Sequence, residues 1–412
     1  MQASSSPPHP HVALLVETSL ASGRDILRGI ARYVRECGPW ALYHAPHGLD
    51  QAVPGWFRHW KGDGIIARIT TPAFARLLKN TGLPVVDVLG MVPRTGFPIA
   101  HVDDDAISRL AFEHLSERGF RHFAFIGLAG ENWSESRRDA FLVHARKLNT
   151  EPALREFTRR ELEETAWEKR QAHLASWLRA LPKPVGLMVC SDQHGLDVLE
   201  ACRRGKIAVP DEVAVVGVDN DEPLCEVCTP PLTSVWPDHL GVGYHAAELL
   251  DGLMQGAAAP VCAKRIAPRC VVTRQSSDVL AVDDPAVATA LRLIRERACS
   301  GASIDEITRA VGTSRSVLQR RFRAVLGETI HDHMITVRIK RALELIATTA
   351  LPLPDIAERC GFNHQEYMGA VFRARLGHTP AAYRKSPRAL SAERARMVLD
   401  LPQEKAARPR QA

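Results

Sequence analysis

Arg315, Ser316, Gln319 and Arg320 fall on one side of the helix that "SRSVLQRRFRAVLG" (314–327) would form, and all four can bond to a base edge. Arg grips guanine O6 and N7 with two hydrogen bonds, and Gln or Asn does the same for adenine N6 and N7. Some fifty residues on, Asn363, His364 and Gln365 open a second such segment, with Arg373 further along it. A second group of residues is of another kind. Glu17-Thr18-Ser19, Ser191-Asp192 and Asp219-Asn220 directly follow apolar runs, and Trp133 and Arg137 come soon after another. Carboxylates and a guanidinium make paired hydrogen bonds to vicinal hydroxyls, while an aromatic face covers C–H surface. This second set suits a small polyol.

The first set needs helices to present it. "SIDEITRAVGTSRSVLQRRFRAVLGET" (303–329) and "LPDIAERCGFNHQEYMGAVFRARLGHT" (353–379) are two copies of one pattern. In the first, Ser303 and Glu306 have capping-box spacing, Ile304, Ile307 and Val311 share a face, and Gly312 suits a left-handed helix end. Thr313 or Ser314 can cap the next helix, which turns Val317, Leu318 and Phe322 inward. The second copy reads Ile356, Gly361, then Tyr367, Val371 and Phe372 inward, with Arg373 and Arg375 outward. A helix, a glycine turn and a second helix with a polar, basic outer face make a helix-turn-helix, whose second helix enters the major groove. "IHDHMITVRIKRALELIATT" (330–349) reads as one long helix that holds the two heads about one duplex turn (~34 Å) apart.

The second set needs strand ends. From His11 onward, apolar runs alternate with amphipathic stretches: strands at 11–17, 40–46, 62–69, 84–90, 122–128, 185–191 and 212–220, and helices at 23–37, 103–119, 137–148 and 192–205. Such alternation implies parallel sheets covered on both faces, and two fit in this length. In these folds ligands bind outside the carboxyl ends of strands, where every member of the second set falls. Three members have a plainer role open to them. Asp192 could cap its own helix, Arg137 could pair with Glu135 or Asp139, and Trp133 could pack between lobes. Pro223 is read as keeping any helix from following Asp219 closely. Near 280–284 the alternation stops, and the chain beyond is helical. The expected fold is α/β, a two-lobed sensor of doubly wound parallel sheets followed by an all-α double helix-turn-helix domain. The boundaries are a tail at 1–10, the sensor at 11–280, the helical domain at 281–388 and a tail at 389–412.

Bulk properties narrow the class. The 412 residues are 45% hydrophobic and 24% charged, values of an ordinary globular chain. Residues 281–412 hold 22 Lys and Arg against 14 Asp and Glu, whereas residues 1–280 hold 31 against 33, so the helical end would meet a polyanion. No apolar run nears the roughly 20 residues of a membrane span. "MQASSSPPHPH" is no export signal, so the expected location is cytoplasmic. Nine scattered cysteines suggest free thiols. Cys225 and Cys228, read as a loop pair, lack the further ligands that zinc needs. No hydrolase, zincin or phosphate-loop motif is present, so neither a cofactor nor an enzyme activity is expected.

Residues 287–386 resemble the DNA-binding domain of AraC/XylS-type regulators, most specifically in "RIKRALELI", "IA…CGF" and "GHTPAAYR". Glu366, Met368 and Ala370 stand where that pattern commonly has Ser, Phe and Arg. Residues 11–280 resemble the effector domain of LacI/GalR-type repressors, itself similar to periplasmic sugar-binding proteins. "HVDDDAISRLAFEHLSERGFRHFAFIG", "SRRDAF", "VCSDQHGLDVLEACRRGKIAVPDEVAVVGVDNDE" and "PLTSVWPDHLGVGYHAAELLDGLMQG" carry that likeness. It implies effector contacts at Arg137, Ser191-Asp192 and Asp219, with Ser191 where Asn is common, and it lacks the usual N-terminal headpiece. Sensor first and AraC-type reader last resembles pentose-responsive activators. The resemblance implies an operator duplex and a sugar effector, D-xylose first among them, a homodimer, a contact with RNA polymerase and no membrane. Two alternatives stand beside it: another pentose or hexose as effector, and a cytosolic sugar-binding protein or enzyme whose helical end serves only assembly.

Overall fold

The structure, a computed structural model, describes residues 9–385 apart from 50, 52, 260–263, 280, 281, 283 and 350. The tail expected at 389–412, and residues 1–8 of the one expected at 1–10, lie outside the described residues. The chain divides into two compact units, Met1–Ala281 and Val282–Ala412. No described helix is long and apolar enough to cross a membrane.

The first unit runs β1 (His11–Leu15), α1 (Ala21–Cys37), β2 (Ala41–His44), β3 (Gly64–Ala67), α2 (Pro72–Lys79), β4 (Val85–Val88), β5 (Ile99–Val102) and α3 (Asp104–Glu117). It goes on through β6 (His122–Leu128), α4 (Asn132–Arg146), β7 (Ala153–Phe157), α5 (Arg159–Glu164), α6 (Trp167–Ala180), β8 (Val185–Val189) and α7 (Asp192–Gly205). Then come β9 (Val213–Val218), α8 (Glu222–Val227), β10 (Thr233–Trp236), α9 (His239–Met254), β11 (Lys264–Ile266) and β12 (Cys270–Val272). The strands form two six-stranded sheets, ordered β11-β5-β4-β3-β1-β2 and β12-β10-β9-β8-β6-β7. All pairings are parallel except β12 against β10. Each sheet is the centre of one lobe. In the first lobe Val12, Leu14, Ile66, Val86 and Val88 face one apolar cluster, and Ala13, Leu15, Ile65 and Val85 face another with Phe57, Ala75 and Leu78. Burial on both faces is why these strands read as unbroken apolar runs.

The chain crosses between lobes three times, after β5, after β10 and between β11 and β12. The crossings are tied together. Asp103 N donates to Ile266 O at 2.9 Å, Arg269 N to Trp236 O at 2.8 Å, and the Arg269 guanidinium to Asp238 Oδ1 at 2.8 and 3.1 Å. Asp103 and Asp238 also cap α3 and α9. In the first lobe α1 and α9 cross at glycines. A Cβ on Gly29 would lie 2.1 Å from Leu240 O, and one on Gly243 2.0 Å from Ile26 O.

The second unit runs α10 (Pro285–Arg297), α11 (Ile304–Val311), α12 (Arg315–Leu326), α13 (Ile330–Thr348), α14 (Leu353–Arg359), α15 (Gln365–Leu376) and α16 (Pro380–Lys385). Ser303 and Glu306 form a complete capping box on α11, Gly312 ends it at φ 76°, and Ser314 caps α12. Two separate cores result. Ile307, Leu318, Phe322, Ile330 and Met334 belong to the first, and Ile339, Leu345, Ile356, Met368 and Phe372 to the second. Phe322 and Phe372 are fully buried, each contributing about 1.5–3 kcal/mol. Helix α13 runs through both cores and, with 19 residues, spans ~28 Å.

Some expectations are corrected. Helix α4 begins at Asn132, one turn before the expected 137, so Trp133 and Arg137 lie one turn apart on it. A helix does follow Asp219: Pro223 sits in the first turn of α8, where its missing N–H is no loss. Cys225 is within that helix and Cys228 ends it, both buried rather than in a loop. Tyr367, expected inward, is 41% exposed, and Met368 fills the core instead. The residue opposite Leu318 in the first copy is Met368, so the period places the tyrosine outside. Among the described residues no cysteine is in a disulfide.

Because a Cβ has no room at the α1–α9 crossing, Gly243→Ala destabilises the chain by about 1–3 kcal/mol. Denaturant unfolding of the full chain reads this; an unshifted midpoint contradicts it.

Candidate functional site

A cavity of about 240 Å³ lies between the lobes, at the carboxyl ends of both sheets. The first lobe gives it Arg68 after β3, Leu89 and Met91 after β4, and His101 from β5; the second gives Trp133 and Arg137 from α4, Ser191 after β8 and Asp219 after β9. His239, the first residue of α9, closes one side. The volume is just under the roughly 300–1,000 Å³ of drug-sized pockets, which is the scale of one small ring molecule. Polar groups stand against Leu20, Leu89, Met91 and Leu128.

Arg137 organises the second-lobe wall. The residue is buried at 4% exposure. Nε donates to Asp104 Oδ1 at 2.9 Å and Nη1 to Cys190 O at 2.6 Å, while Nη2 lies 4.0 Å from Asp219 Oδ1. Neither Glu135 nor Asp139 is its partner. Burial would push the guanidinium down, but Asp104 and Asp219 outweigh that and hold it above its ordinary value. The Trp133 ring centre lies 5.2 Å from the guanidinium carbon. Asp219 itself is strained, with φ at 111°, and Asn220 follows at 50°. Non-glycine residues hold such geometry only where their surroundings enforce it. Burial raises the Asp219 carboxyl to about 6, against the pull of Arg137 and Arg68.

Two imidazoles complete the polar surface. Burial, together with Arg137 and Arg68, takes His239 down to about 3, so it is neutral and can both give and accept a hydrogen bond. Ser191 Oγ and His194 Nδ1 are 2.8 Å apart, and burial lowers His194 as well.

Of the nine residues singled out from sequence, Trp133, Arg137, Ser191 and Asp219 line the cavity, and Glu17, Thr18, Ser19, Asp192 and Asn220 do not. Asp192 stands behind the wall. Oδ1 accepts from Ser234 Oγ at 2.7 Å, and Oδ2 from Asp221 N at 2.9 Å and Cys225 Sγ at 3.3 Å. Nor is it a cap: Ser191 holds the N-cap position. A Cβ on Gly217 would lie 2.2 Å from Asp192 Oδ1, so this strut needs glycine beside it. Asn220 Oδ1 accepts from Arg274 Nη2 at 2.9 Å, and its N donates to Ser234 Oγ at 3.0 Å. Glu17 Oε1 accepts from Arg68 Nη1 at 2.5 Å. Thr18 is tied to His47 O through its N at 3.0 Å. Sequence reasoning missed Arg68, His101, His194, His239 and the α5 residues Arg159, Leu162 and Glu163. Arg68 was findable, since it follows a strand as Glu17 does.

On the helical unit, Arg315, Ser316, Arg320, Asn363, His364, Gln365 and Arg373 are exposed, Thr313 and Gln319 half-buried, and Ser314 caps α12. Arg315 pairs with Asp305 at 3.0 Å, both largely exposed, a contact that salt or a phosphate readily replaces. Arg320, Arg323 and Arg373 have no ion pair among the described residues. Other basic residues hold the frame together. Arg338 Nε donates to Ala298 O at 3.0 Å, Arg384 Nη2 to Leu351 O at 2.6 Å, and Arg375 joins Asp332. Among the described residues no cluster could hold a metal ion.

Family models match along most of the chain: the XylR N-terminal domain over 11–102, a periplasmic binding protein-like domain over 112–277 and a helix-turn-helix domain over 307–386. The xylose operon regulatory protein of Escherichia coli strain K12 is 31% identical over 383 residues, which cover 90% of this chain and 96% of that protein. Its counterpart from Haemophilus influenzae is 31% identical over 382 residues, 90% of this chain and 97% of that one. A solved structure of a xylose-binding transcription activator superposes with a TM-score of 0.77 at 29% identity, covering 92% of this chain and 98% of that one. With this identity sustained across both units, the chain belongs to the xylose operon regulatory protein family.

Proposed function

We propose that this chain is a D-xylose-responsive transcription activator. The observation that carries the reading is the Arg137–Asp219–Trp133 wall of the inter-lobe cavity, in a chain that also carries two outward-facing reading helices. Arg137 Nη2 donates and Asp219 accepts, so together they suit neighbouring hydroxyls of one ring. Trp133 covers C–H surface, and neutral His239 serves another hydroxyl from the far side. Asp192, Glu17 and Asn220 act from behind: they fix Ser191's helix, Arg68 and the backbone at Asp219. D-xylose is favoured over another pentose or hexose because family membership extends over both units.

Sugar that touches both lobes favours the closed arrangement about the three crossings, and so shifts the population of DNA-binding geometries. Beyond β12, Arg274 reaches Asn220 and Leu232 O, and Ser276 and Ser277 are stapled to Val215 O and Thr233. The chain leading to the helical unit is thus bonded to the strand end that carries Asp219. On DNA, Arg315, Gln319 and Arg320 in α12 and Asn363, His364 and Gln365 near α15 meet bases, with Thr313, Ser314, Ser316 and Arg373 beside them. Phosphate contacts by the remaining cations make affinity fall steeply with salt. The same reading takes the protein as a cytoplasmic homodimer that contacts RNA polymerase and performs no catalysis.

Calorimetric titration with a panel of monosaccharides tests the effector: D-xylose binds most tightly, and a hexose binding better contradicts the assignment. Asp219→Ala weakens xylose binding at least about tenfold while leaving DNA binding without sugar intact. Because the ionised carboxylate is the acceptor, wild-type xylose affinity is full above about pH 6 and declines as pH falls through that value; a flat profile between pH 5 and 7.5 counts against this role. Arg320→Ala weakens operator binding about tenfold in a gel-shift titration, and unchanged affinity removes α12 as a reader.

A further inference from the structure

The two reading helices can be compared position by position, because their buried residues fix a common register. Leu318 and Phe322 correspond to Met368 and Phe372, all fully buried, and Gly327 and Gly377 end the helices at φ 73° and 74°. In that register Arg315 corresponds to Gln365, Ser316 to Glu366, Gln319 to Gly369 and Arg320 to Ala370. The outer faces therefore differ in chemistry. Helix α12 presents Arg315, Arg320 and Arg323 and no acid. Helix α15 presents Glu366 in its first turn, and of its two arginines Arg375 is taken by Asp332.

Glu366 is exposed and has neither an ion pair nor a hydrogen bond to its side chain among the described residues. Nothing in the fold uses it. The middle of the same face is bare: Ala370 is exposed, and a Cβ on Gly369 would meet nothing within 4 Å. Glycine is the weakest helix former after proline, and packing does not require it here. With no long side chain at these two positions, base contacts on this face fall to the first turn.

A carboxylate there can only accept. Phosphates repel it, as do the guanine edge with its N7 and O6 acceptors and the thymine O4. Adenine N6 offers a donor but sets it beside the N7 acceptor. Cytosine N4 is the one major-groove donor without an acceptor next to it on the same base. The positive end of the helix dipole favours a negatively charged side chain in the first turn. We propose that Glu366 selects cytosine at one position of the operator, so that α12 supplies cationic affinity and α15 discriminates through an acceptor. This rests on the reading that both helices enter the major groove.

The test is selection from randomised duplexes by the full chain with D-xylose, run for wild type, Glu366→Gln and Glu366→Ala. Wild type enriches a cytosine in the half-site away from the guanine contacts of α12. Glu366→Gln moves that position toward adenine, and Glu366→Ala leaves it unspecified. On the wild-type consensus, changing this C·G pair to T·A weakens wild type about tenfold and either variant less than about twofold. Removing the carboxylate also raises affinity for random duplex at low salt. Identical preferences in wild type and Glu366→Gln overturn this proposal alone. Failure of all three proteins to enrich any sequence overturns the regulator reading, and this proposal with it.

Discussion

An arginine only 4% exposed has to be held on several sides at once, and the Arg137 site is built to do so. Its partners come from three places far apart in the chain: the start of α3, the end of β8 and the end of β9. Removing one partner of a buried charge costs several kcal/mol because the other is left uncompensated. Arg137 therefore fixes the spacing of the strand ends that form the cavity wall, and leaves one nitrogen aimed at the space beside Asp219.

Behind that wall a second layer keeps Asp219 in a backbone conformation it would not adopt alone. Asp192 draws in Ser234, the Asp221 amide and Cys225, and burial with the nearby Asp219 charge raises its carboxyl to about 7. Ser234 in turn accepts from Asn220 N, and Asn220 accepts from Arg274. Residues that touch a ligand are only as well placed as the shell supporting them. Here that shell also includes the segment that follows β12, through Arg274, Ser276 and Ser277.

Seven of the twelve described strands and four of the nine described helices of the first unit were legible because β-type runs and 3.6-residue periodicity are local properties; β5, β7, β10, β11 and β12 and the helices α2, α5, α6, α8 and α9 were not read. The doubled helical unit was legible too, with Ser303, Glu306, Gly312 and Ser314 punctuating it as the caps require. What escaped was long-range. His239 reaches the cavity from a crossing helix more than a hundred residues beyond β5, and no local pattern marks it. Asp192 and Asp219 both follow strands with the same signal, yet one faces the cavity and the other turns behind it, since the difference is one of side-chain direction. Pro223 has the local signature of a breaker but stands at a helix start, where proline is tolerated. Tyr367 and Met368 are neighbours of similar hydrophobicity, and only the register against Leu318 separates them.

The two halves of the chain are joined functionally only if sugar in the first alters DNA binding by the second. The direct measurement is fluorescence anisotropy of a duplex selected by the full chain, titrated with and without saturating D-xylose. Coupling between the two sites shifts Kd by about 5–150-fold, with a matching shift in xylose affinity when DNA is present. The same Kd in both conditions, with xylose shown to be bound, would contradict it.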